Sequence, residues 1–105
     1  MFYMVTVLQH NGEVVVKGII INHHFGILKE YLEEYVKTNK HIKLNLKELE
    51  FIDENGAMEL MTLAGKMKQQ GINFEITSIS DKVMNKFIQL GAKIWLGKNL
   101  FSKVG

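Results

Sequence analysis

The chain reads as a small α/β protein: a mixed, mainly parallel sheet of four to five strands, opened by an N-terminal hairpin and accompanied by about three helices. Three observations predict this. Two segments rich in β-branched and aromatic residues, Phe2–Gln9 and Glu13–Ile21, flank Asn11-Gly12, the pair favoured in a two-residue hairpin loop. Beyond them, short apolar runs alternate with stretches whose apolar residues recur every three or four positions, the pattern of strand–helix–strand crossovers. The helical stretches also end in stop chemistry, at Thr38-Asn39-Lys40, Gln70-Gly71 and Gly91.

Each element has its own signal. The second strand is almost continuously apolar, as a strand covered on both faces should be, and Gly18 within it marks a bulge or a close backbone approach. Asn22 is a plausible cap for a helix over Phe25–Lys37, where Leu28, Tyr31, Leu32, Tyr35 and Val36 hold helical spacing. A third strand, Ile42–Leu46, leads through a short connector to the acidic turn Asp53-Glu54-Asn55-Gly56. From Ala57 a long amphipathic helix buries Leu60, Met61, Ala64 and Met67 and turns Glu59, Thr62, Lys66 and Gln69 outward. In this turn Asn55 is the N-cap candidate, and Gly56 lets another backbone come close. A fourth strand spans Asn73–Thr77. Ser80-Asp81 then caps a third helix that carries Val83, Met84, Phe87 and Leu90 inward. Ile94-Trp95-Leu96 is a candidate last strand, and the tail from Gly97 has only Leu100, Phe101 and Val104 to anchor it.

Composition narrows the function. At 105 residues, 47% apolar and 23% charged, the chain is expected to be one domain over residues 1–105 with a core of its own. A net charge of +2 gives no basic surface for nucleic acid. There is no cysteine, hence no disulfide or thiolate chemistry, which fits a reducing compartment. No signal-peptide pattern is present, and no apolar run approaches the ~20 residues of a membrane span. The expectation is a cytoplasmic domain.

The candidate sites thin out on the same grounds. His23 and His24 are adjacent and point apart, while His10 and His41 lie in other segments with no metal-ligand spacing around them. Glu48, Glu50, Asp53 and Glu54 have no nucleophile–base pair and no phosphate loop beside them. Acidic residues at a helix start are also stabilising without any chemistry. The aromatics Phe2, Tyr3, Phe25, Tyr31, Tyr35, Phe74, Phe87 and Trp95 fall at core periodicity. Met58 lies off the buried stripe, where an exposed methionine is an adaptable contact for a partner. No catalytic residue, metal or cofactor is implied. What remains is a surface: Asp53, Glu54, Asn55, Gly56, Met58, Glu59 and Thr62.

Leu44-Asn45-Leu46 followed by Phe51-Ile52-Asp53-Glu54-Asn55-Gly56 resembles the signature of STAS domains, the anti-sigma factor antagonist family. That signature is an apolar strand, F-I/M-D-S/T-S-G and a helix. Lys17-Gly18 through His24 resembles the family's S-G-x-x-D segment with one extra residue. Gly71–Ile76 and Val83–Gly91 follow its later strand and helix. The resemblance implies a non-enzymatic regulatory domain that docks on a protein partner through the turn and the helix after Asp53. Candidate partners are an anti-sigma factor or histidine-kinase-like ATPase, or another STAS-containing complex, with a homodimer left open. It also implies a phosphosite at the second hydroxyl of D-S-S-G. Here that position is Asn55, which has no hydroxyl, and Glu54 replaces the residue before it. Phosphorylation would add about −1.5 to −2 charges, and Asp53 with Glu54 carries a fixed two, between the family's two states. Neutral Asn55 at the switch position favours a permanent binder over a permanently weakened one. An accessory subunit of a membrane transporter, and a nucleotide or small-ligand sensor, are the alternative readings.

Overall fold

The computed structural model describes residues 5–21 and 24–91. In chain order its elements are β1 (Thr6–His10), β2 (Glu13–Ile20), α1 (Phe25–Tyr35), β3 (His41–Leu46), β4 (Leu49–Ile52), α2 (Glu54–Gln69), β5 (Asn73–Ile79) and α3 (Asp81–Gln89). The expected α/β architecture is present, with a five-stranded mixed sheet and three helices. The cap expected at Asn22, the strand expected at Ile94–Leu96, the tail, and the aromatic positions Phe2, Tyr3 and Trp95 lie outside the described residues.

The sheet is ordered β1-β2-β3-β5, with β4 pairing to β2. β1 and β2 form the predicted hairpin, paired antiparallel from Thr6↔Lys17 to His10↔Glu13. Its loop residues, Asn11 and Gly12, have φ of 52° and 79°, the doubly left-handed geometry that suits the twist of flanking strands. All other pairings are parallel.

The segment between Leu46 and Asp53 is not the plain connector that the sequence suggests, because Leu49–Ile52 forms β4. β2 pairs with β3 through Val14 and Val15, then with β4 through Gly18, Ile19 and Ile20. The register slips between Gly18 and Ile19, and Gly18 has φ of 96°, a conformation that costs a residue without Cβ little. Gly18 is therefore the bulge that its place in an apolar run suggested. The first half of β2 is buried on both faces, at Val14, Val15 and Val16.

β3 alternates between exposed or half-buried residues (His41, Lys43, Asn45) and buried ones (Ile42, Leu44, Leu46). Its buried side joins Val14, Val16, Phe74 and Ile76 in one cluster with Phe25, Leu28 and Leu32 of α1. Leu60, Met61 and Leu63 of α2 and Val83 and Phe87 of α3 complete that cluster. The three helices thus pack on one face of the sheet. On the other face, which includes buried Val15, Asn45 donates to the Glu13 carboxylate at 2.9 Å. That bond, with a second from Thr77, holds the Glu13 carboxyl below the usual carboxylate range.

Candidate functional site

The acidic elbow is built from the strand outward. Asp53 donates its N–H to Ile20 O at 3.0 Å, which carries the sheet pairing up to the first residue before α2. There the backbone stays extended (φ −79°, ψ 171°), and the side chain turns back to cap the helix. Asp53 Oδ1 accepts from Gly56 N at 2.7 Å. Asp53, not Asn55, is therefore the N-cap, and α2 starts three residues earlier than Ala57. Both residue types cap well, so sequence alone does not choose between them. Packing does. A Cβ on Gly56 would stand 2.8 Å from Ile20 Cγ2 and 3.1 Å from Ile52 Cγ1, so the helix settles its first turn, at its side-chain-free residue, onto two buried isoleucines. The close approach at Gly56 is made by those side chains rather than by another backbone.

This places the predicted surface residues in two groups. Gly56 is buried and presents no side chain to a partner, and Asp53 is half-buried with its carboxylate engaged by the cap. Glu54, Asn55, Met58, Glu59 and Thr62 are all exposed. Met58, at 38%, is the large apolar side chain among them. Glu54 in the first turn and Lys66 and Lys68 in the last complement the helix dipole.

The structure adds residues that sequence reasoning did not associate with the turn. α1 lies beside α2, and between them runs a groove of about 350 Å³. Phe25 and Lys29 line it from α1, and Asn55, Met58, Glu59, Thr62, Leu63 and Lys66 from α2. On α2 these positions advance by three, one, three, one and three residues, a continuous stripe along one side of the helix. Leu63, three residues after Leu60, had a core signal in its spacing. Phe25 and Lys29 had none, because their place beside Met58 depends on how α1 packs on α2.

Chemically, the groove offers contact surface and charge. Among the described residues no polar or charged side chain is buried, and no group of three or more His, Cys, Asp or Glu gathers as metal ligands would. The histidines are dispersed: His10 ends β1, His24 precedes α1 and His41 opens β3. The ion pairs among the described residues are Lys17–Glu48, Lys37–Glu34 and His41–Glu75. None of these involves Lys29, Glu59 or Lys66, so the groove lining carries one acid and two lysines outside these pairs.

The model of the STAS domain family matches residues 4–105, nearly the whole chain. The chain belongs to the STAS domain family. No match is found among curated proteins. Among solved structures, the chain is similar to the anti-sigma factor antagonist SpoIIAA in its unphosphorylated form. The identity is 17% and the TM-score 0.65, over 87% of this chain and 84% of that one. At that identity the likeness establishes the fold. The strand Leu44–Leu46, the elbow at Asp53 and the helix after it thus stand in a STAS domain. Among the described residues no helix is long and apolar enough to cross a membrane.

Proposed function

We propose that this STAS domain is a non-enzymatic regulatory module that binds a protein partner through the elbow and the exposed side of α2, at Glu54, Asn55, Met58, Glu59 and Thr62. The observation that carries this reading is the setting of Asn55. It is exposed in the first turn of a helix that Asp53 caps and Gly56 anchors, and it borders a groove with an exposed methionine. A rigid elbow holding a soft apolar contact and exposed charges beside a groove is suited to recognition. A catalytic role has no support in buried or converging groups among the described residues.

Asn55 also shapes the regulation. It occupies the position where the family resemblance expects a phosphorylatable serine, and its amide accepts no phosphoryl group. On this reading the domain is a standing binder whose occupancy follows the amount of partner, rather than a phospho-switch. An anti-sigma factor or histidine-kinase-like ATPase is the partner that the likeness to an anti-sigma factor antagonist favours, with the domain working in the cytoplasm on the regulation of transcription.

The test is capture of partners from the native host by the parent chain and by Asn55→Glu. The parent should recover a histidine-kinase-like ATPase, an anti-sigma factor or another STAS protein. Asn55→Glu should lose at least tenfold of that recovery while its melting temperature stays close to the parent's, since the residue is exposed. Equal capture by the variant would move the interface elsewhere. Recovery of a transporter ATP-binding subunit in place of these partners would favour the accessory-subunit reading.

A further inference from the structure

The exposed stripe of α2 is complementary to itself. Glu59 and Lys66 both line the groove, seven residues apart, which is two helical turns or about 10.5 Å along one side of the helix. Thr62, exposed, lies midway between them. When a second α2 is laid antiparallel across the first with Thr62 near the two-fold axis, Glu59 of each copy faces Lys66 of the other. The helix dipoles oppose one another in the same arrangement. Met58 of each copy comes down beside the aliphatic stem of Lys66 of the other, a contact of the kind that long cationic side chains make readily. Among the described residues neither Glu59 nor Lys66 has an ion-pair partner within its own chain, so both are available.

We infer that a second copy of this chain occupies the α1–α2 groove, in an isologous dimer centred on Thr62 and closed by two symmetric Glu59–Lys66 pairs. A two-fold interface needs one patch that matches itself, and this stripe does. The face is short: α2 has 16 residues, about 24 Å, so the contact falls below the roughly 800 Å² per partner of a stable complex. The dimer is weak and forms at high protein concentration. Its regulatory consequence rests on the docking role proposed above. The dimer covers Met58, Glu59 and Thr62, so self-association and partner binding exclude each other, and crowding of the chain withdraws it from its partner.

Sedimentation equilibrium of the full chain from about 10 μM to 1 mM at low salt tests this. The mass average should rise toward that of a dimer. Glu59→Lys and Lys66→Glu should each weaken association roughly tenfold, since each alters both symmetric pairs. The double variant Glu59→Lys/Lys66→Glu, and an equimolar mixture of the two single variants, should return to within about twofold of the parent. Because the chain has no cysteine, Thr62→Cys adds a clean geometric readout. It should cross-link to itself on mild oxidation far faster than Ile88→Cys, at an exposed site on α3. A monomer throughout the range, single reversals without effect, a double variant that does not recover, or equal cross-linking at both sites would overturn the dimer. Partner capture with and without Asn55→Glu is read separately, so the dimer and the docking role can fail independently.

Discussion

Two strand-to-helix elbows of this protein, β4 into α2 and β5 into α3, share a backbone design and differ in what they show to solvent. At each, an extended N-cap residue turns its side chain onto the N–H three residues ahead: Asp53 to Gly56 and Ser80 to Val83. An acidic residue follows each cap, Glu54 or Asp81. The third helical residue then departs. Val83 fills its space in the core with a side chain, whereas Gly56 is filled from outside by Ile20 and Ile52. The surfaces depart as well. Beside α3 a smaller groove of about 230 Å³ pairs exposed Phe51 with Lys82 and Lys86, a cationic rim without an acidic side chain. Beside α2 the groove carries both signs around Met58. The difference teaches that capping is shared scaffolding, and that the two elbows diverge in the side chains they show to solvent at the second helical residue and along the stripe behind it.

The comparison breaks most sharply at the third helical residue. Gly56→Ala should destabilise the fold by about 1–3 kcal/mol, the range for overpacking a filled core. The added methyl meets Ile20 Cγ2 at 2.8 Å, and Ile20 is fully buried with little room to move. Urea denaturation measures this. A loss near zero would mean that the elbow yields easily and that Gly56 does not set the start of α2.

The caps come next. Asp53→Ala should cost about 1–2 kcal/mol and Ser80→Ala about 0.5–1 kcal/mol, within the range for lost N-caps. The order follows from the bonds: a carboxylate acceptor at 2.7 Å against a hydroxyl at 3.4 Å, and charged acceptors bond more strongly. Thermal melts of the two variants against the parent decide it. Equal losses would mean that the charge on Asp53 adds nothing to its geometry.

These elbows also show where a sequence stops being informative. The hairpin, the apolar stripes of α2 and α3 and the cap at Ser80 are local patterns with a fixed period or residue type, and they stand where the sequence placed them. β4 did not announce itself. It is four residues long, with buried ends and an exposed middle, so it has no alternation to read, and it exists because β2 offers it a parallel edge beyond Gly18. The sequence pointed to Asn55 as the cap of α2 and missed Asp53, a residue type that caps equally well; the fit of Gly56 against Ile20 and Ile52 is what separates them. Of the candidate surface, exposure at Glu59 and Thr62 was legible from helical phase, Met58 was placed off the buried stripe, and Glu54 and Asn55 were read as part of an exposed turn rather than of the helix. The burial of Gly56, and the contribution of Phe25 and Lys29, belong to tertiary packing and left no local trace.

The smallest change to the fold makes the finest comparison between the elbows. Asn55→Ser puts a hydroxyl at the second helical residue of α2, where the side chain is exposed, and should shift stability by no more than about 0.5 kcal/mol. The native hydroxyl at the other elbow, Ser80 Oγ, is half-buried and already accepts from Val83 N. Incubated with ATP and an extract of the native host, the parent should remain unmodified from Asp53 to Gly56. The variant should gain phosphate on the introduced hydroxyl and none at Ser80, as peptide mass spectrometry reads directly. Phosphate on the parent's elbow would contradict the view that Asn55 is chemically mute. A variant that stays unlabelled would mean that no kinase in the host recognises this elbow. The presence of an amide in place of a hydroxyl would then have nothing to do with escaping a switch, and its value would have to come from the contact Asn55 makes in the bound complex.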